Sequence, residues 1–167
     1  MININTERLI VRPFQPADAE FIIELLNEPD FHRYIGDKQV RTEDDALAYI
    51  VNGPQKSFQQ HGFGLMLVSL HNGTKLGMCG LLKRAELTHP DLGFAFLAQH
   101  YRQGYAFEAA QAVLQHHNIS TVLAITDPAN QPSQALLLKL GFNFVQEQRL
   151  SIGLCRLFQL GAVDLSR

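Results

Sequence analysis

Long apolar runs and clustered cysteines are both missing from this sequence. No stretch of about 18 consecutive apolar residues occurs, the length that a membrane-spanning helix would need. Met1 leads directly into a strand-like segment, without the charged and then apolar leader of a secreted protein, so we expect a cytoplasmic protein with no membrane partner. The two cysteines, Cys79 and Cys155, form no Cys-x-x-Cys motif, so the sequence predicts neither a disulfide framework nor a cysteine metal site.

An excess of charge of one sign is missing too. The 14 Lys and Arg residues and the 16 Asp and Glu residues give a net charge of -2 and are mixed along the chain. This balance supplies no broad basic surface for nucleic acid, and any anion site has to be local. The neighbouring His116 and His117 would point about 100° apart on a helix, so no metal is expected.

The composition that remains is that of one folded domain. With 167 residues, of which 46% are hydrophobic, the chain is long enough to bury a sizeable core. No linker or internal repeat divides it. We therefore expect a single domain over residues 1–167.

Apolar periodicity and turn residues predict the order of the elements. Asn72-Gly73 marks a tight hairpin, Thr42 with Asp45 marks a helix start, and Gly53-Pro54 is expected to end that helix. The predicted strands are 9–14, 63–70, 75–85, 91–97, 122–126 and a closing hairpin over 144–160, and the predicted helices include 17–27 and 131–140. This order predicts an α/β sandwich with a mixed sheet covered on both faces by helices.

The chain is organised around residues 91–114, DLGFAFLAQHYRQGYAFEAAQAVL. A short strand is followed by a polar turn and by a helix with an apolar face. The first N–H groups of a helix have no partner within it and carry the positive end of its dipole. The turn therefore predicts a site for an anion such as phosphate, with N–H groups from Arg102, Gln103, Gly104, Tyr105 and Ala106. The alternative is that Gly104 only allows the chain to turn.

A second stretch, residues 130–142, reads NQPSQALLLKLGF. Together with residues 101–106, it resembles the two motifs of the GNAT superfamily of acetyl-CoA-dependent N-acetyltransferases. The second motif falls on Asn130, Ser133, Gly141 and Phe142. Tyr101 and the opening phrase TERLIVRPF (6–14) are similar to the branch that acetylates protein N-termini, including the alanine and serine N-termini of ribosomal proteins.

This resemblance implies a mostly antiparallel sheet in which strands 91–97 and 122–126 splay apart to admit the pantetheine arm of acetyl-CoA. A backbone N–H near Phe96 or Leu97 would then stabilise the oxyanion. Acetyl-CoA is the implied cosubstrate, without a metal. The implied cofactor-binding residues are Phe96, Leu97, Arg102, Gln103, Gly104, Tyr105, Ala106, Asn130 and Ser133.

Asp91 and Ser133 are the candidate catalytic residues. Asp91 stands where the resembling branch carries an acid beside the acceptor, with Glu86 and His89 as substitutes; the alternative for Asp91 is a solvated acid at a strand end. Many family members have a tyrosine, which gives a proton to the departing thiolate, at the position of Leu137 in this chain. Leu137 has no proton to give, so the resemblance assigns this role to Ser133. Ser133 as an ordinary helix-start residue stays open, as does a thiolate that leaves unaided.

The predicted function is transfer of an acetyl group from acetyl-CoA to a primary amine, most simply a protein N-terminal α-amine. A small amine, such as a polyamine or aminoglycoside, is an alternative acceptor, and a non-catalytic acyl-CoA-binding module is an alternative function.

In the family, the region 30–40 shapes the acceptor pocket. A homodimer is possible.

Overall fold

The computed structural model describes residues 2–161. Their eight strands form one sheet in the order β1-β2-β3-β4-β5-β6-β8-β7. The strands are β1 (Ile4–Asn5), β2 (Leu9–Pro13), β3 (Leu65–Leu70), β4 (Lys75–Leu82), β5 (Asp91–Phe96), β6 (Thr121–Thr126), β7 (Asn143–Leu150) and β8 (Gly153–Gly161). The helices are α1 (Ala19–Leu26), α2 (Pro29–Tyr34), α3 (Glu43–Ile50), α4 (Lys56–His61), α5 (Tyr105–His117) and α6 (Gln131–Lys139).

The sheet is antiparallel except between β5 and β6. β4 and β5 pair along six positions, from Gly77 with Phe96 to Leu82 with Asp91. β5 and β6 run parallel because α5 connects them, and they share a single register pair, Asp91 with Leu123. The two strands therefore separate beyond Asp91, which confirms the predicted splay at the centre of the sheet.

Helices cover both faces of this sheet. Successive β3 residues alternate between the faces, so that Met66 and Val68 pack with α5 while Leu65 and Leu67 pack with α1 and α3. The α5 side is built on small residues, Ala109 and Ala110, which let the helix lie close to the strands. The predicted two-layered covering of a mixed sheet is confirmed.

The expected helix end at Gly53-Pro54 is wrong. Thr42 and Asp45 do form the predicted capping box of α3, but the chain continues from Ile50 through a π-helical turn, Val51–Gln55, directly into α4. The widened turn accommodates Pro54, which lacks an N–H to donate, so the helical path continues past the proline. This segment forms one wall of a cavity.

The short helix α2 begins at Pro29 and extends into the region 30–40, which the family resemblance links to the acceptor pocket. Pro29 occupies the first turn of α2, a position where its missing N–H costs nothing. Phe31 is buried, whereas Ile35 is exposed. Nothing in residues 2–161 forms a helix long and apolar enough to cross a membrane.

Candidate active site

The turn before α5 presents free backbone donors. Gly104 is the N-cap of α5 and has φ +81°, a left-handed conformation that suits glycine. The first helical hydrogen bond is donated by Glu108 N–H to the Gly104 carbonyl, at 3.1 Å. Within residues 2–161, the N–H groups of Tyr105, Ala106 and Phe107 therefore have no acceptor. This is the arrangement that binds phosphate at a helix N-terminus.

Arg8, in the N-terminal segment, holds this turn in place through hydrogen bonds. Its Nη1 donates to the Gln103 carbonyl at 2.9 Å, and its Nε donates to Glu108 Oε1 at 2.7 Å. Its guanidinium carbon lies 4.6 Å from the centre of the Tyr105 ring. Sequence reasoning missed both Arg8 and Glu108 as site residues, although Arg8 stands in the opening phrase that carried part of the resemblance. The carbonyl of Gln103 is engaged by Arg8, and Gln103 does not line the cavity beside the turn.

That cavity, which we call the Gly104 cavity, has a volume of about 510 Å³. Of the predicted cofactor residues, it is lined by Phe96, Arg102, Gly104, Tyr105, Ala106, Asn130 and Ser133. It also brings in α2 and residues of α6 that the sequence did not single out. Among these is Lys139, whose ammonium lies 4.4 Å from the centre of the Phe107 ring. Arg102 and Lys139 thus add two cations to the helix N-terminus, which favours a polyphosphate ligand.

Phe96, and not Leu97, presents its backbone N–H toward the gap in the sheet. Leu97 N–H donates to the Leu76 carbonyl at 2.9 Å, on the β4 side. Because successive N–H groups of a strand point to opposite sides, the N–H of Phe96 points toward β6, beyond the single β5–β6 register pair. The Leu97 side chain is buried among α1 and α3 residues and does not line the Gly104 cavity. The structure therefore leaves Leu97 outside the predicted site.

The start of α6 separates the roles of Asn130 and Ser133. Asn130 is the N-cap, and its Oδ1 accepts a hydrogen bond from Ser133 N–H at 3.3 Å. The Ser133 hydroxyl takes no part in this cap and has no hydrogen-bond partner among residues 2–161. Leu137, one turn further along, is fully buried in the core. The position at which the family resemblance implies an acidic tyrosine is here a packing position.

A second cavity, which we call the Asp91 cavity, has a volume of about 530 Å³. Its walls are formed by the α3–α4 segment, Lys38, the C-terminal end of β4 and the start of β5. The two cavities share five lining residues, which are Phe31, Ile35, Phe94, Asn130 and Ser133. A molecule in one cavity therefore meets a molecule in the other beside Ser133 and Phe94, which is the geometry of a two-substrate site.

Asp91 lies in the wall of this cavity and is 1% exposed. Its Oδ2 accepts a hydrogen bond from Arg84 Nε at 3.0 Å, while its buried Oδ1 has no partner among residues 2–161. Burial raises the pKa of Asp91, and the charge and hydrogen bond of Arg84 offset only part of that rise. The alternative of a solvated strand-end acid is therefore wrong.

The two substitutes for Asp91 lie elsewhere. Glu86 accepts hydrogen bonds from the backbone N–H and the hydroxyl of Ser151, at 2.8 and 3.0 Å. Neither Glu86 nor His89 lines either cavity. Asp91 is the one carboxylate of residues 2–161 in the wall of the second cavity.

Comparison with known proteins decides the family. The acetyltransferase (GNAT) domain family matches residues 8–143 of this chain. The chain belongs to the GNAT acetyltransferases. It is 28% identical over 144 residues to the uncharacterized N-acetyltransferase YnaD of Bacillus subtilis, an alignment that covers 84% of this chain and 82% of that protein.

Solved structures with the same fold extend this GNAT assignment. An acetyltransferase from Agrobacterium tumefaciens superposes with a TM-score of 0.81 at 20% identity, covering 97% of this chain and 95% of that one. RimL, a ribosomal L7/L12 alpha-N-protein acetyltransferase in complex with coenzyme A, superposes with a TM-score of 0.83 at 12% identity, covering 95% and 97%. At these identities the likeness shows the GNAT fold.

This GNAT domain is an acetyl-CoA-dependent N-acetyltransferase, and acetyl-CoA is its cosubstrate. The residues present fit that group. Three unpaired N–H groups with Arg102 and Lys139 suit its phosphates, and the gap between β5 and β6 exposes strand backbone to its amide-containing arm. Within residues 2–161, no cluster of three or more His, Cys, Asp or Glu side chains could hold a metal ion.

Proposed function

We propose that this protein acetylates the α-amine of a protein or peptide N-terminus. The observation that carries the proposal is the Asp91 cavity, which is as large as the Gly104 cavity and meets it beside Ser133. A cavity of about 530 Å³ is ample for the first residues of an extended peptide. The Tyr101 motif and the opening phrase, which resemble the N-terminal acetyltransferase branch, support the same acceptor, as does the RimL-like fold.

Acetyl transfer from a thioester to an amine has three chemical requirements. The amine has to be neutral when it attacks, the oxyanion of the tetrahedral intermediate has to be stabilised, and the thiolate has to leave. Bound acetyl-CoA would supply the acetyl thioester. A protein α-amine has a pKa of about 7.7 to 8.0, so a weak base suffices at neutral pH.

Asp91 is the proposed base. Its Oδ1 is unpartnered and its pKa is raised, so it accepts a proton more readily than an ordinary aspartate would. Since the carboxylate is 1% exposed, the proton is passed to it through an intervening water molecule. Arg84 keeps the carboxylate in place through Oδ2.

Phe96 N–H and Ser133 are assigned the other two tasks. Phe96 N–H points into the gap between β5 and β6, where it can donate to the oxyanion without any special side chain. Ser133 lines both cavities and its hydroxyl takes no part in the helix cap, which supports it as the group that gives a proton to the departing thiolate.

A thiol-release assay tests the acceptor. Purified protein and acetyl-CoA are mixed with N-terminal peptides, with the same peptides blocked at the N-terminus, with a polyamine and with an aminoglycoside. We expect turnover of the free peptides alone, with mass spectrometry placing the acetyl group on the α-amine. Turnover of the polyamine or aminoglycoside alone would overturn the peptide acceptor. Saturable binding of CoA with no turnover of any amine would favour the non-catalytic module.

The predicted cytoplasmic location, single domain and homodimer are part of this proposal. The edge strand β7 exposes Phe144 and Val145, 43% and 44% exposed, which gives a second copy an apolar surface to contact. Light scattering during size-exclusion chromatography would measure the mass, and a monomer at all concentrations would remove the homodimer.

A further inference from the structure

The Asp91 cavity carries charge of one sign. Four cationic residues line it, which are Lys38, Lys56, Lys83 and Arg84. Within residues 2–161, Asp91 is the single carboxylate of that lining, and it is buried against Arg84. The chain as a whole has a net charge of -2, so this concentration of positive charge is local to the cavity.

Of these four cations, only Arg84 is in an ion pair within residues 2–161, and its partner is the buried Asp91. Asp37 is paired with Arg41, with 2.5 Å between Asp37 Oδ2 and Arg41 Nη2. No carboxylate of residues 2–161 lies within ion-pairing distance of Lys38 or Lys56. Lys83 donates from Nζ to two backbone carbonyls, at 3.1 and 2.9 Å, and is in no ion pair within residues 2–161.

The phosphates of the cosubstrate do not account for this charge. The cations beside the phosphate-binding turn are Arg102 and Lys139, and neither lines the Asp91 cavity. In turn, none of Lys38, Lys56, Lys83 and Arg84 lines the Gly104 cavity. Each positive set therefore lines one cavity and not the other. The second set therefore faces the acceptor.

A concave site lined by one sign of charge concentrates ligands of the opposite sign and repels ligands of its own sign. Arg84 is also held by its Nε, so the rest of its planar guanidinium is pre-oriented for a carboxylate, which it can bind by two parallel hydrogen bonds. A polyamine or an aminoglycoside, which carries several positive charges, would be repelled.

We propose that the Asp91 cavity selects an amine acceptor that carries carboxylates close to the reacting amine. Given the proposed function, on which this inference rests, that acceptor is an N-terminal segment with acidic side chains in its first few residues. The α-amine lies toward Ser133, where the two cavities meet, and the acidic side chains lie toward Lys38 and Lys56.

The test compares three peptides that differ only at positions 2 to 4, which are Glu, Gln or Lys. We expect kcat/KM to fall in the order acidic, neutral, basic, and the differences to shrink as salt is added. Lys38→Gln and Lys56→Gln should each lower the ratio of acidic to basic kcat/KM by about two- to fivefold, the size of an exposed charge pair. The double reversal Lys38→Glu with Lys56→Glu should invert the order.

Arg149→Gln is the matched control, because it removes one exposed positive charge from β7, outside both cavities. It should leave the ratio unchanged, and an equal thermal shift by CoA in all variants shows that each remains folded. Equal kcat/KM for the three peptides would overturn this inference and leave the proposed function standing. Turnover of free glutamate, but of no peptide, would support the anionic acceptor while contradicting the peptide acceptor.

Discussion

Arg8 and Gln103 are 95 residues apart in the chain, yet Arg8 Nη1 donates a hydrogen bond to the Gln103 carbonyl at 2.9 Å. The same guanidinium reaches Glu108 in the first turn of α5. The turn that presents free N–H groups to phosphate is therefore held from both sides, by the N-terminal segment and by the helix. This bracing explains how Arg102 and Gly104, both at positive φ, stay in a conformation that an unsupported loop would sample among others.

Gly104→Ala separates backbone strain from ligand contact when it is compared with Gly62→Ala. The two glycines have nearly the same conformation, with φ +81° and +79° and ψ 6° in both. A methyl group at either position should cost about 1 to 2 kcal/mol of stability, measured by urea unfolding, because the left-handed region is unfavourable for L residues. Only Gly104→Ala should also raise the Kd for CoA, measured by calorimetry.

Gly62 is a suitable control because it shares the backbone conformation of Gly104 but lies away from the ligand site. A Cβ at Gly62 would meet nothing within 4 Å, whereas one at Gly104 would lie 3.2 Å from Arg8 Nη2, beside the N–H groups that face the ligand. Equal CoA affinity in the two variants would show that Gly104 serves only to turn the chain.

Ser133→Ala tests the proton donor to the thiolate. If the hydroxyl gives that proton, kcat should fall by about 10² to 10⁴ while the Kd for CoA changes little. Stability should be unchanged, because the backbone N–H that bonds to Asn130 Oδ1 is retained. Asn130→Ala removes the cap itself and should cost about 1 kcal/mol of stability. An intact kcat in Ser133→Ala would mean that the thiolate leaves unaided.

Asp18 makes the stability of the fold sensitive to acid. It is 1% exposed, yet it accepts hydrogen bonds from Arg12, Lys75 and the Gln15 N–H. Burial alone would raise its pKa, but these partners outweigh burial and lower it. A carboxyl whose folded pKa is depressed stabilises the fold above its unfolded pKa of about 3.9, and that contribution is lost as the pH falls through the folded pKa.

Asp18→Asn should therefore cost about 1.5 to 3 kcal/mol at neutral pH, the range for hydrogen bonds to a charged group. The cost should shrink as the pH falls below about 4, because the unfolded chain then takes up a proton that the folded carboxylate, with its lowered pKa, binds only at lower pH. Glu24→Gln, at an exposed position on α1, should change stability by less than about 0.5 kcal/mol at any pH. A cost for Asp18→Asn that stays constant down to pH 2 would contradict this account of its charge.

Local sequence signals recover most of the fold. The hairpin at Asn72-Gly73, the capping box at Thr42 and the helix after Gly104 each depend on residues close together in the chain, and each is confirmed. The prediction of a helix end at Pro54 was wrong because the effect of a proline depends on whether the helix can widen by one residue. The packing of that segment decides this, and the proline alone does not.

The site was only partly predictable for a different reason. Whether Phe96 or Leu97 offers its N–H to the gap depends on the register of β5 against β4, which fixes Leu97 to Leu76. The cations of the Asp91 cavity come from three separate segments, around residues 38, 56 and 83, and only tertiary folding brings them together. Neither fact has a signature at short range in the sequence.

Asp91→Asn is the decisive test of the base. If Asp91 takes the proton of the amine through water, kcat/KM in the wild type should fall as the pH drops through the raised pKa of Asp91. That acidic limb should therefore lie above the ordinary aspartate pKa of about 3.9. Asp91→Asn should remove the limb that belongs to Asp91, leaving the one set by the α-amine's own pKa of about 7.7 to 8.0, and should lower kcat/KM at neutral pH by about 10² to 10⁴. Glu86→Gln, which alters a carboxyl outside both cavities, should leave the profile unchanged.

Arg84→Gln sharpens the same experiment, because Arg84 is the main group that lowers the pKa of Asp91 against the effect of burial. Its removal should move the acidic limb to higher pH, and the size of that move can be read even where the Arg84 variant binds the acceptor less well. A merely structural Asp91 would predict no such move. If the acidic limb stays in place in both Asp91→Asn and Arg84→Gln, the titration belongs to another group. The single role left to Asp91 would then be to hold Arg84 toward the acceptor.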